Sequence, residues 1–405
     1  MPRLLRRLSL VVAVVLAGWP STSPVPAGAA AADPRWDHRI VSGFVPQYRQ
    51  YGFDLERRMN ELGALGYRLA TVVQPRPPLL AEEATVILAK PLGAPVIPAQ
   101  FVILTAETAA DLQARVAGRT ADGFGVVALT VTQHYLRPTT RRGDAIRFYD
   151  LGEHPVLYVA ILEQAAGAVP RPARVVEATT EKGGWDGFVA ATRASFRVTQ
   201  ALWLGPLAVT RERERILFLM HDDGTGSAYE TAVPATTPRT NLNDHIERQR
   251  RRGFEVEALW SMRDRAELLF IRPLGRRAAP AEAHRGTTWN LDETLDVTGD
   301  GRLVGGAYAR EEGALVRHFV QDRRVTGYRY DGVTGVFPRS IDDRGQLGGV
   351  GFVGLGAPPE TEQTCAACLA LNERGAEGYR AVWAAVGPGY RFDRRMDVVL
   401  EAFRP

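Results

Sequence analysis

The chain has 405 residues, 45% hydrophobic and 24% charged, with a formal net charge of +4. This is the composition of folded protein and excludes a wholly disordered chain, a collagen-like fibre and a polytopic membrane protein. Two cysteines exclude a disulfide scaffold or a multi-cysteine zinc fold, and the length predicts two or three domains or a repeat array.

Residues 1–32 read as a signal peptide. Arg3, Arg6 and Arg7 form a positive start, Leu8 to Ala17 an apolar stretch, and Ala27 to Ala32 a small-residue run that fits cleavage after Ala29 or Ala32. The apolar run is too short to span a bilayer as a helix. Trp19 stands where a lipoprotein signal needs cysteine, and Arg6-Arg7 lacks a twin-arginine context, so general secretion is the expected route. Periplasm, cell surface and exterior all remain open as destinations. Removing the segment lowers the charge to +1, which leaves no electrostatic argument for nucleic acid. The basic residues other than Lys90 and Lys182 are arginines, spread along the chain and matched by acids, as a compositional bias would give.

The rest of the chain repeats itself. Met59-Asn60-Glu61-Leu62-Gly63-Ala64-Leu65-Gly66-Tyr67-Arg68 matches Leu371-Asn372-Glu373-Arg374-Gly375-Ala376-Glu377-Gly378-Tyr379-Arg380 at seven of ten positions. Weaker copies end at Gly123-Phe124, Ser195-Phe196 and Gly253-Phe254. Each reads as an amphipathic helix and its stop. Leu55, Met59 and Leu62 fall on one helical face, as do Leu112 with Val116 and Leu242 with Ile246, the last helix with Asn241 as its N-cap. The small residue supplies the left-handed position that ends the helix. Strands are predicted before each helix at 39–45, 99–105, 173–178, 228–233 and, least clearly, 348–355. One follows at each aromatic, and another at 84–90, 155–163, 213–221, 265–272 and 396–403. The unit is β-α-β-β, roughly 60 residues long. A single unit leaves sheet edges open, so neighbours are expected to pair through their sheets or helices.

The run Leu-Asn-Glu-x-Gly-Ala-x-Gly-Tyr at 371–379 resembles the signature of small bacterial domains of the DUF4177 type, in which a strand, a helix ending in LNxxGxxGW and a hairpin follow one another. Tyr67, Phe124, Phe196, Phe254 and Tyr379 stand where that family has Trp. The resemblance implies a fold and no catalytic residues. Trp289–Gly356 breaks the pattern: it is rich in glycine and strand formers, without a clear helix. Asp296–Gly305 and Ser340–Gly349 there resemble the IN-D-x-G-x-V-x-G hairpins of secreted bacterial β repeats.

The expected fold is therefore α+β: tandem β-α-β-β units with antiparallel sheets, plus a β-rich insertion. Its divisions are the signal peptide at 1–32, units at 33–92, 93–168, 169–226 and 227–275, a linker and insertion at 276–347, and a last unit at 348–405.

Cys365-Ala-Ala-Cys368 is the sharpest chemical feature. A C-x-x-C at a helix start suits a redox disulfide, but no haem histidine, zinc ligands or thioredoxin-like strand accompany it. A short structural disulfide or two buried thiols is the expected role. Asp296-x-Thr298-x-Asp300-Gly301 opens like a calcium loop but has Ala307 at position twelve, so a hairpin turn fits better. His221-Asp222-Asp223-Gly224-Thr225-Gly226 reads as a turn, since no nucleophile elbow or aspartic-protease triplet completes it. The seven histidines show no i, i+4 metal spacing, and no phosphate-binding loop is present. Trp203, Trp260 and Trp383 fall on the strand after each stop, where they either pack in the core or line a ligand groove. The expectation is an exported non-enzymatic repeat protein that binds a protein or small molecule. It needs no cofactor or metal, makes no nucleic-acid contact and has no transmembrane segment once the signal is removed. The alternative is an envelope enzyme, either a thiol redox protein using Cys365 and Cys368 or an unrecognised hydrolase.

Overall fold

Six times along the chain a first strand is followed by a second and a third, and the third returns to lie between the other two. The computed structural model describes residues 35–51, 54–75, 83–133, 156–181, 183–204, 214–232, 242–262, 265–275, 284–290, 301–311, 314–336, 365–386 and 395–403. Residues 1–34 lie outside them, so everything below concerns the unit Ala31–Pro405.

The first group is β1 (Trp36–Gly43), α1 (Leu55–Ala64), β2 (Arg68–Gln74) and β3 (Ala84–Pro91), with a 3-10 turn, Pro46–Tyr51, before the helix. The second is β4 (Ala99–Ala106), α2 (Ala109–Ala121), β5 (Gly125–Gln133) and β6 (Val156–Ala165). The third is β7 (Ala173–Thr179), α3 (Asp186–Arg193), β8 (Phe196–Trp203) and β9 (Arg215–Asp222). The fourth is β10 (Tyr229–Ala232), α4 (Leu242–Arg250), β11 (Glu255–Met262) and β12 (Arg265–Pro273). The fifth has β13 (His284–Asn290), β14 (Arg302–Glu311) and β15 (Ala314–Asp322), with no helix among the described residues. The sixth is β16 (Tyr328–Val336), α5 (Ala366–Ala376), β17 (Arg380–Val386) and β18 (Arg395–Phe403). The protein is thus mixed α+β with mostly antiparallel sheets, and a parallel pairing of β17 on β2 joins the sixth group to the first.

Local chemistry explains the helices and their ends. Asp54 and Thr108 cap α1 and α2 by accepting the backbone N–H of Arg57 and Asp111. Leu55, Met59 and Leu62 are buried on α1, Leu112 and Val116 on α2, and Leu242 and Ile246 on α4. The stops at Gly66, Gly123, Gly253 and Gly378 all have φ between 83° and 97°, and Ser195 takes the same role at 69°. Asn241, Ser340–Gly349, the strand expected at 348–355 and Asp296 to Asp300 lie outside the described residues.

Two expectations change. The edge strand of the last sheet is β16, which falls inside the segment read as an insertion, because β18 needs a partner on the side away from β17 and Tyr328–Val336 supplies it. The fifth group also has the strand order of the others, although the sequence there carries no helix signal. A shared irregularity supports that kinship. Every second strand is bulged near its start, at Ala70, Val127, Thr199, Glu257, Val304 and Val382.

The groups interlock because none has a core of its own. Among the described residues six hydrophobic clusters are formed, and five of them are drawn mainly from two consecutive groups. The cluster of Ile40, Val73 and Ile87 with Leu371, Met396 and Val398 joins the sixth group back to the first. Each helix lies on the edge strand of the next group: α1 on β4, α2 on β7, α3 on β10, α4 on β13 and α5 on β1. An exposed strand edge offers unpaired backbone groups, and the helices cover it. Asn60 does so with both ends of its amide, accepting the N–H of Phe101 at 2.8 Å and donating to its carbonyl at 3.0 Å. Its counterpart Asn372 accepts the N–H of His38 at 2.7 Å. The approach requires a helix without a side chain at the crossing: a Cβ on Gly63 would meet the Ala99 carbonyl at 2.3 Å, and one on Gly375 the Trp36 carbonyl at 2.2 Å. The repeated Asn-x-x-Gly is therefore a docking device as well as part of a helix end.

Candidate functional site

Cys365 and Cys368 are joined by a disulfide at the start of α5, with Cα atoms 5.2 Å apart. Cys365 is the N-cap, its sulfur accepting the N–H of Cys368, and both residues are buried in the cluster shared by the sixth and first groups. Trp203 and Trp260 are buried together between the third and fourth groups, and Trp383 lies in a separate cluster between the fifth and sixth. The three rings are 1–7% exposed and form no continuous row. His221, Asp222 and Asp223 do not assemble as a catalytic set. The His221 ring bonds Thr199 Oγ1 and the Val126 carbonyl, both at 2.9 Å, while Asp222 and Asp223 accept from Gly224 and Thr225 within their own turn. The described residues contain no group of three His, Cys, Asp or Glu able to hold a metal ion.

The polar chemistry collects at the seams between groups. In four of the six second strands the N–H one residue before the bulged position donates to a side chain of the next group. Leu69 donates to Glu163 at 3.2 Å, Val198 to Glu257 at 2.7 Å, Leu303 to Tyr330 Oη at 2.6 Å, and Ala381 to His38 Nε2 at 3.3 Å. The last of these returns from the sixth group to the first. Arg68 and Arg197, each one residue after the aromatic that follows the stop, pair with the same two carboxylates. Asp397 likewise binds Arg317 at 2.7 Å and Tyr308 at 2.7 Å between the fifth and sixth groups. Burial pushes the Glu163 carboxyl up against the pull of Arg68. Burial, helped by Arg380, lowers His38 to about 4, which keeps its ring neutral and able to accept from Ala381. Pattern reading missed these acceptors because each lies on a different strand and far along the chain from its donor.

Among the described residues one buried carboxylate oxygen is not matched. Glu267 on β12 is 3% exposed, directly opposite Trp260, and its Oε1 has no hydrogen-bond partner among the described residues. Among the described residues Arg265 approaches it, at 3.8 Å. Burial raises Glu267 to about 7, with Arg265 opposing the shift and Glu214 adding to it. The indole N–H groups of Trp260 and Trp203 are also buried without partners among the described residues.

A second arrangement of side chains is apolar and outside. In each sheet the start of the first strand, the start of the second and the end of the third lie at one edge, from which the links to neighbouring groups leave. The seam contacts join these edges to one another. Ten large apolar residues are exposed among the described residues, and nine of them are at this linker edge; the exception is Leu369 near the start of α5. The densest set is Leu65, Leu92, Val96, Ile97 and Val169, 43–88% exposed. An open groove of about 680 Å³ lies on the same part of the chain, lined not by these five residues but by small and polar ones such as Asn60, Ala64, Ala99, Gln164 and Ala168.

No helix among the described residues is long and apolar enough to cross a membrane. Comparison with known proteins finds no matching family model, no matching curated protein and no matching solved structure.

Proposed function

We propose that the protein is an exported scaffold of tandem αβ units that binds a partner through the linker edge of the array and carries out no catalysis. The signal-like residues 1–32 motivate export. Five groups have strand-helix-strand-strand order and the remaining one, β13 to β15, has the same strand order with no helix among the described residues, which supports reading them as DUF4177-like units. The observation that carries the binding role is the concentration of exposed apolar side chains on one edge of a structure in which Glu163, Glu257, Asp397 and His38 are engaged at the seams. Large exposed apolar patches mark interaction surfaces.

The test is thermal unfolding of the protein against glycans, nucleotides, amino acids, lipids and divalent metals. A ligand at about 100 times its Kd stabilises the native state by about 2.7 kcal/mol. Binding that Val96→Asp with Val169→Asp abolishes is the expected result. A measured turnover lost on changing His221, Glu267 or Cys365, with the melting temperature unchanged, overturns the scaffold reading. The rival redox reading predicts a thiol pair that cycles. The burial of both cysteines favours a structural bridge instead, so Cys365→Ser should cost stability and nothing else.

A further inference from the structure

We propose that the linker edge docks on a lipid surface bearing anionic headgroups, an inference that rests on reading the protein as a binding scaffold. The apolar residues stand on separate tips rather than in one deep cleft. Leu65 ends α1, Val96 and Ile97 lie on the link between the first and second groups, Val169 on the link between the second and third, and Val325 on the link between the fifth and sixth. A soft, flat apolar boundary can receive such tips together, as it receives the apolar face of an interfacial helix.

Charge selects the kind of surface. The links at 92–98, 166–172 and 323–327 contain no Asp or Glu. They carry Arg171 and Arg323, both exposed and without an ion pair among the described residues, and Arg324, which pairs with Asp322 and Glu255. Arginine beside exposed aliphatic side chains complements negative headgroups. Two links differ. The link after the fourth group, 274–283, contains Glu282 together with Arg276 and Arg277. The link after the third contains Asp223, next to Asp222 at the end of β9, and the carboxylates of Asp222 and Asp223 are turned back onto Gly224, Thr225 and Tyr229 of the same turn.

The experiment is co-sedimentation of the full chain with vesicles of phosphatidylcholine, with and without phosphatidylglycerol, at low and high salt. Binding to the mixed vesicles is expected, weaker by about tenfold or more on phosphatidylcholine alone and falling as salt rises. Val96→Asp with Val169→Asp, and separately Arg171→Glu with Arg323→Glu, should each weaken binding about tenfold, whereas Leu369→Asp at the opposite end should leave it unchanged. Melting temperatures check that each variant is folded, and the arginine pair gives the reading if the aspartate pair is unstable. Absence of vesicle binding, equal binding to both vesicles, or full binding by the aspartate variant overturns the proposal. If vesicles fail but a protein or small ligand needs Val96 and Val169, the scaffold reading stands and the lipid reading falls. If turnover is found, the scaffold reading falls whatever the vesicles do.

Discussion

Glu267 is the residue with most to reveal about the interior. A carboxyl raised by burial is neutral in the folded state and charged in the unfolded state over the same pH range. Its contribution to stability is therefore fully present below the unfolded pKa of 4.5 and lost as pH rises through about 7. Above that, the buried charge costs about 3 kcal/mol. Glu267→Gln keeps the shape and removes the charge. It should stabilise the protein by up to that amount at pH 8 and by little at pH 4, read from urea midpoints. An equal effect at both pH values would mean that the carboxyl titrates alike in the folded and unfolded chain. His38 works in the opposite direction. Its pKa is lowered, so its contribution is lost as pH falls from about 6.5 to about 4, when the ring gains a proton and can no longer accept from Ala381.

Among the elements, the helices are defined as much by the strand they cover as by their own sequence. The glycine of the Asn-x-x-Gly run sits on a foreign backbone, whereas Gly118 in α2 faces open space. Gly375→Ala would put a methyl 2.2 Å from the Trp36 carbonyl and 2.9 Å from the His38 ring, forcing α5 away from β1. A loss of about 1–3 kcal/mol is expected from overpacking. Gly118→Ala should instead gain up to about 1 kcal/mol from helix propensity. Chemical denaturation of the two variants separates docking from helix formation: two gains would show that α5 does not bear on β1. The bulges are the corresponding device of the second strands. Each breaks the ladder near its start, and in four groups the neighbouring N–H is met by the next group, so the irregularity becomes a point of attachment.

At the scale of the whole molecule, the last group meets the first through β17 on β2, α5 on β1 and a shared core. An open array has two terminal units with one neighbour each, and these fray first. A circuit of contacts has no such ends. Amide exchange should therefore be as slow in β1 as in the equivalent edge strands β4 and β7, and as slow in β18 as in the central strands β6 and β9. Asn372→Ala should speed exchange in β1 while leaving β7, on the far side of the circuit, unaffected. Fast exchange throughout β1 in the unaltered protein would show that the sixth and first groups do not hold together.

How much of this was legible in the sequence follows from the range of the forces involved. Helix faces, left-handed stops and strand runs were readable from residues a few positions apart, because capping, backbone sterics and the periodicity of burial act within a turn or a strand. Ser195 was recognisable as a stop only through its place in the repeat, and its φ of 69° agrees. The Asn and first Gly of the motif were visible as residues but not as docking groups, because their partners belong to the next unit. Tertiary structure alone decided that Glu163 meets Arg68 across 95 residues, that His38 meets Ala381 across 343, and that β16 completes the last sheet. It alone also gathered the exposed apolar residues on one edge. Those outcomes depend on which surfaces are buried together, a property of the folded chain as a whole that no local window of sequence contains.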